Sequence, residues 1–318
     1  MTDKQINRWL RKEFRPISWI LIFYYLFLNL LVSLVAVVDA AKQMLRNAAS
    51  GNFLMDVDVD SLMNNAWGYI LCIFLGVILL HAWKGPDYWR EEIFQKGRKM
   101  TPVVFFCAMV FCVGSQMVNS LWLTGLELVM NLFDASLMPM LEAVSGSSGS
   151  FSMFLYASFL GPIAEELLFR GVVLRQLRPW GKQTAILVSA IAFGLFHGNV
   201  IQIPFAFMVG LVLGYVTVEY SIFWAIVLHV FNNFVLSDLI GRLSEISPEG
   251  GSVLLMLILV PASVVAIVQL ILKRKQLGEY LRQNKMGKIS WRGLLASPFM
   301  WIYTGLMLIS CLLTITRI

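Results

Sequence analysis

Residues 151–177 read FSMFLYASFLGPIAEELLFRGVVLRQL, an apolar stretch of helix length with two adjacent carboxylates, Glu165 and Glu166, near its middle. A segment this apolar is expected to span a bilayer, where about 20 such residues cross the hydrocarbon. An ionisable group there is costly and by default faces a bundle interior or a water-filled cavity, where it marks a functional site. Two later apolar stretches each supply one histidine, His197 and His229. Three helices are therefore expected to bring a catalytic set together.

Working outward, the chain of 318 residues is 58% hydrophobic with a mean hydropathy of +0.74, well beyond the roughly half-apolar usage of soluble domains. The expected fold class is all-α, a polytopic membrane helix bundle. About nine stretches approach spanning length, centred near Leu28, Ile73, Met109, Phe159, Ser189, Val209, Val230, Leu259 and Leu308. Four of them are packed between residues 151 and 240 with very short connections, so they are expected to be close antiparallel neighbours and to form the catalytic core. Residues 1–150 then make an N-terminal three-span region with loops, and residues 241–318 a C-terminal two-span extension. The Ser/Gly run at residues 145–150 reads as a low-complexity linker before the core.

A net charge of +6 raises nucleic-acid binding, but the basic residues gather on no single soluble face. They alternate with the apolar stretches, as topology requires. Lys4, Arg8, Arg11, Lys12 and Arg15 precede the first span, and further clusters lie at residues 84–99, 170–182 and 273–292. All are expected on the cytosolic side. The intervening loops carry Asp56, Asp58, Asp60, Glu127, Asp134, Glu142, Glu245 and Glu249 with few cations. The expected protein is thus a multi-pass cell-membrane protein with its N-terminus cytosolic, its partner the lipid bilayer, with no nucleic acid. Compact loops lean towards a prokaryotic source. The first apolar segment is span-length without a small-residue cleavage pattern, so it is expected to remain as a helix. Cys72, Cys107, Cys112 and Cys311 all fall in apolar segments and are expected to pack as small hydrophobes.

Glu166 and Arg170 are four apart and share a helix face, which favours an ion pair. Glu165 points about a hundred degrees away, so Arg170 is expected to neutralise Glu166 and leave Glu165 free to handle water. The stretch IAFGLFHGN at residues 191–199 places Phe193 and His197 on one face, with Gly194 and Gly198 permitting close helix approach. The stretch SIFWAIVLHVFNNFV at residues 221–235 places His229 and Asn233 on one stripe. In hydrocarbon both need partners from other helices, and Glu165 with His197 are the natural ones. At roughly 1.5 Å per residue, Glu165 lies about 15 Å and His229 about 10 Å from the cytosolic ends of their helices, whereas His197 comes out near 20 Å.

Each feature has a plainer reading. A single intramembrane histidine is often a satisfied packing residue, and His81 at the end of the second span reads as interfacial. Glu166 with Arg170 alone is more often structural than functional, and Phe193 more often packing than substrate-contacting. Leu126 to Leu141 fits either an amphipathic surface helix or a re-entrant element. The conjunction carries the weight: the chain has three histidines, and two of them share a block with the double glutamate.

In these three segments the chain resembles the CPBP intramembrane protease family, which contains the type II CAAX prenyl endopeptidases and bacterial relatives linked to bacteriocin processing and self-immunity. Glu165, Glu166, Arg170, Phe193, His197, His229 and Asn233 match the family pattern in order and spacing, over about eighty residues. The resemblance implies an intramembrane endopeptidase in which Glu165 and His197 activate water while His229 and Asn233 stabilise the oxyanion, with Glu166, Arg170 and Phe193 supporting. It implies no cofactor under a glutamate mechanism. Zinc on Glu165, His197 and His229 is the alternative, disfavoured because no helix carries two histidines four apart with an intervening glutamate. The runner-up function is a non-catalytic membrane scaffold that binds a partner such as a sensor kinase or a peptide precursor. A transporter is expected to show repeats or broken helices, and no repeat is evident.

Overall fold

Inside hydrocarbon a chain satisfies its backbone groups only by closing them within helices or barrels, and the apolar runs of this sequence become helices. The computed structural model describes residues 3–50, 57–145, 149–313 and 316–317; Asp56, the Glu142 side chain and residues 146–148 of the Ser/Gly run lie outside what is described. In chain order the helices are α1 (Asp3–Ala49), α2 (Val59–Met63), α3 (Trp67–Asp87, prolonged by a π-helical turn at Tyr88–Ile93), α4 (Pro102–Asn131) and α5 (Met138–Ser145). Next come α6 (residues 151–180), α7 (Lys182–Phe196), α8 (Ile203–Glu219), and α9, which starts as Ile222–Phe231 and runs on through Asn232–Leu239 to Ile240–Ile246. The last are α10 (Pro248–Gln283), α11 (Lys288–Ala296) and α12 (Pro298–Leu313). Two short strands, β1 (Ala135–Ser136) and β2 (Thr316–Arg317), pair antiparallel.

The chain is therefore a multi-pass, all-α membrane bundle. Helices occupy every one of the expected centres, yet the number long and apolar enough to cross a membrane is smaller than the expected nine. Among the described residues it is 5, at Lys4–Ala49, Val59–Ile93, Pro102–Asn131, Ile222–Ile246 and Pro248–Gln283, or 6 if α11 and α12, bent by 65°, act as one span. The shortfall falls on the core. α7 and α8 are apolar but only 15 and 17 residues long, and α6 carries Glu165, Glu166, Arg170 and Arg175 along its length. Helices walled in by other helices need not match the full hydrocarbon thickness, because protein rather than lipid surrounds them.

Small residues let the core helices approach closely. A Cβ on Gly210 of α8 would lie 3.1 Å from the Ala190 Cα of α7, and one on Gly68 of α3 would lie 2.6 Å from the Val32 Cα of α1. α1 and α12 close over α6 and α7 through Phe14, Ile17, Leu21, Tyr303 and Met307, all buried in one apolar cluster. The Tyr303 hydroxyl reaches through that cluster to the Ala192 carbonyl at 2.7 Å. α10 instead packs on α4 and leaves most of its surface outward: only 6% of its most apolar window is buried, as befits a helix facing lipid.

At the end of α8, Glu219 is almost wholly buried and gathers three elements. Lys182 at the start of α7 lies 2.6 Å away, Tyr280 of α10 donates at 3.0 Å, and Arg98 in the α3–α4 loop lies 3.6 Å away. The stretch Leu126–Leu141 is not one continuous amphipathic helix. It is the end of α4, a turn with Asp134 at φ 52, β1 and the start of α5. Glu127 ties that turn together by accepting from Ser136 Oγ at 2.7 Å and from the Leu137 amide at 2.8 Å. A carboxylate capping a local turn leaves no amphipathic helix to extend.

Candidate active site

α6 is one helical run in which α turns alternate with π turns at Tyr156–Leu160 and Leu167–Leu174. A π turn shifts the backbone ladder from four residues to five and is frequent at functional sites. Within residues 151–177 three carbonyls of this helix accept side-chain donors from other elements among the described residues. Ser189 Oγ of α7 donates to the Phe169 carbonyl at 2.8 Å, Tyr88 Oη after α3 to the Gly171 carbonyl at 2.9 Å, and Asn233 Nδ2 of α9 to the Ala157 carbonyl at 3.1 Å. Polar side chains thus pin the carboxylate-bearing helix on three sides.

On that helix Arg170 Nη1 donates to Glu166 Oε1 at 2.8 Å, and both side chains are 0% exposed. Arg170 Nη2 reaches the Gly210 carbonyl at 3.3 Å, and its guanidinium lies 4.4 Å from the centre of the Phe193 ring. A charge pair this deep is tolerable only because several partners share the desolvation cost.

His229 comes from α9 to the same carboxylate. Its Nδ1 lies 2.9 Å from Glu166 Oε1, and its Nε2 lies 3.6 Å from Glu165 Oε2. An ionised carboxylate only accepts, so Nδ1 carries the proton of the first contact. Glu165 is 21% exposed in its side chain and accepts no hydrogen bond within reach among the described residues. It is the open member of the pair.

His197 sits at the C-terminal cap of α7 rather than within a helix. Its Nδ1 lies 3.0 Å from the Phe193 carbonyl, which can only accept, so Nδ1 is the donor and Nε2 keeps its lone pair. Phe193, 1% exposed, stands edge-on to both imidazoles, with ring centres 5.0 Å from His197 and 5.6 Å from His229. The structure therefore assembles Glu165, Glu166, Arg170, Phe193 and His229 directly and joins His197 through Phe193. Asn233 is turned to Ala157, with one of its two amide protons committed there.

The sequence reading missed contributions from outside the core block. Tyr24 of α1 hydrogen-bonds Cys72 of α3, and Tyr24 and Tyr156 both lie within electrostatic reach of Glu165. Tyr156 also stacks on Tyr69 of α3 at 4.6 Å. Cys72 is wholly buried in the apolar core, as the sequence suggested, with Tyr24 as a neighbour. The only signal for Tyr24 and Tyr69 was their place in two apolar spans, which sequence alone does not separate from interfacial aromatics. Beside these residues, α1, α3 and α6 enclose an apolar cleft of about 470 Å³, lined by Trp19, Phe23, Tyr24, Trp83, Ala164 and Leu168 among others.

Among the described residues no group of three His, Cys, Asp or Glu side chains is arranged to hold a metal ion. In the set Glu165, His197 and His229 each imidazole has Nδ1 engaged, by the Phe193 carbonyl and by Glu166, which leaves Nε2 of each as the nitrogen that could ligate.

Fold and site together define a polytopic α-helical membrane protein with a carboxylate and imidazole cluster buried among its core helices. Residues 147–235 match the family model described as Rce1-like, type II CAAX prenyl endopeptidase Rce1-like, a similarity in line with the CPBP resemblance. No curated protein and no solved structure matches the chain.

Proposed function

We propose that the protein is an intramembrane endopeptidase that hydrolyses a peptide bond in a membrane-associated protein or peptide by a glutamate mechanism. The observation that carries the reading is the bridge His229 makes between the adjacent carboxylates. Glu166, held through Oε1 by both Arg170 and His229, serves as an anchor. Glu165, 21% exposed and without an arginine or lysine partner, serves as the base.

His197 Nε2 and a Glu165 oxygen both accept from the attacking water. Glu165 takes one proton, the hydroxide adds to the scissile carbonyl carbon, and the protonated Glu165 then passes that proton to the departing amine. One acid and one amine result. His229 Nε2 stands 3.6 Å from Glu165 Oε2, and a protonated His229 offers its Nε2–H as a donor for the oxyanion. A preorganised donor of this kind is typically worth about 2.7–4 kcal/mol in the transition state.

The cleft beside Ala164 and Tyr24 supports entry of an apolar substrate segment from the bilayer, and the basic clusters support a cytosolic N-terminus. The test compares membrane peptides by mass spectrometry from cells carrying the wild type or Glu165→Ala at matched expression. A peptide truncated only with the wild type establishes proteolysis and names the substrate. Identical peptide profiles, with a cellular phenotype still rescued by Glu165→Ala, overturn the reading in favour of a scaffold.

A further inference from the structure

Pro162 lies five residues after Ala157 on α6. In the π turn before it, the Gly161 N–H goes to the Tyr156 carbonyl. The next N–H in that register belongs to position 162, where proline has none. The Ala157 carbonyl is left without its ladder donor inside a helix of the membrane bundle, where an unpaired backbone group is costly. Asn233 supplies the missing donor from α9 at 3.1 Å, and Asn232 Nδ2, donating to Asn233 Oδ1 at 3.2 Å, fixes which edge of the amide faces α6. Asn233 follows His229 by one helical turn, while Ala157 and Pro162 precede Glu165 on the opposing helix.

We propose that Asn233 is a positioning residue: its amide clamps α9 to the carbonyl that Pro162 frees, and this contact sets where His229 stands against Glu165 and Glu166. The other captured carbonyls of α6, those of Phe169, Gly171 and Trp180, are held by Ser189, by Tyr88, and by Thr184 with Ser290, on elements that carry no residue of the His229 bridge. The Asn233 contact is the one that links the bridging imidazole's helix to the carboxylates' helix by a backbone group. Position 162 and position 233 are therefore energetically coupled although their side chains need not touch.

The inference rests on the peptidase reading only for its activity readout, since the coupling is visible in stability whatever the activity. The experiment is a double-mutant cycle on the full-length purified protein, with Asn233→Ala, Pro162→Ala and the double variant, and with Pro162→Gly as a second way to restore the N–H. Thermal unfolding is measured for each, and kcat and KM on the membrane peptide that the mass-spectrometric comparison of wild type and Glu165→Ala identifies. Asn233→Ala alone is expected to lower kcat about tenfold or more with KM within about twofold, and to lower Tm. In either Pro162 background, where the residue-162 N–H takes the Ala157 carbonyl, the Asn233→Ala loss in kcat is expected to shrink to less than about threefold and the loss in Tm to shrink with it. If Asn233→Ala alone yields no folded protein, recovery of folded protein in the double variant supports the clamp and failure to recover it overturns it. Equal losses in all backgrounds overturn it as well, and assign Asn233 to the reacting carbonyl through its other proton. Persistent cleavage by Glu165→Ala refutes the peptidase mechanism separately, with the Tm coupling still deciding the clamp.

Discussion

His229 donates through Nδ1 to Glu166 Oε1 at 2.9 Å while its Nε2 stands 3.6 Å from Glu165 Oε2, so one imidazole spans two carboxylates that are neighbours in the chain. Adjacent residues on a helix project about a hundred degrees apart, and a ring approaching from α9 between them meets both. The arrangement separates two otherwise identical groups. Glu166 becomes wholly buried with Oε1 held twice, Glu165 stays 21% exposed and open, and the proposed chemistry follows from that asymmetry.

Glu165→Ala removes the proposed base but only one contact, at 3.6 Å. Cleavage is expected to vanish while thermal unfolding stays near the wild type, checked by peptide mass spectrometry and a melting curve on the same preparation. Cleavage by this variant would rule out the glutamate mechanism.

Glu166→Gln strips the countercharge from Arg170 and the charged acceptor from His229, both 5% exposed or less. Leaving a buried charge unpaired costs about 3–5 kcal/mol, so stability and activity are expected to fall together. Denaturant titration in detergent measures the first. A variant as stable as the wild type would show that Arg170 finds compensation elsewhere.

Glu219→Gln lies outside the site but breaks the junction with Lys182, Tyr280 and Arg98. Hydrogen bonds to a charged group contribute about 1.5–3 kcal/mol each, and part of that is expected to be lost from stability with kcat unchanged in the folded fraction. A drop in kcat at constant folded fraction would tie this junction to the chemistry.

His81→Ala is expected to leave cleavage unchanged, because His81 is exposed and its aromatic neighbour is Trp89, with ring centres 6.2 Å apart. Loss of activity equal to that of His197→Ala would move the site.

Chelator-treated enzyme is expected to retain its turnover, since the glutamate mechanism routes every proton through Glu165. Turnover abolished by chelation and restored by zinc would instead assign Glu165, His197 and His229 as ligands.

Much of this was legible in residue order. Hydropathy located the helices, and the Glu166 to Arg170 spacing placed both on one face. The number of full spans was not legible, because hydropathy measures apolarity and not what surrounds a helix: α7 and α8 are apolar yet short, walled by neighbours rather than by lipid. The stretch Leu126–Leu141 misled for a related reason, since its pattern did not reveal that Glu127 would cap the turn ahead of α5.

By itself the sequence determined that the chain enters the membrane as a helix bundle and that carboxylates and imidazoles lie on core helices, because transfer of apolar surface and the cost of buried charge depend on composition and local spacing. Only the tertiary structure decided which carboxylate is anchored and which is open, that Asn233 turns to the carbonyl freed by Pro162, and that Tyr24 from α1 comes near Glu165. Those outcomes depend on how helices distant in sequence approach and rotate against one another, and no local periodicity encodes that.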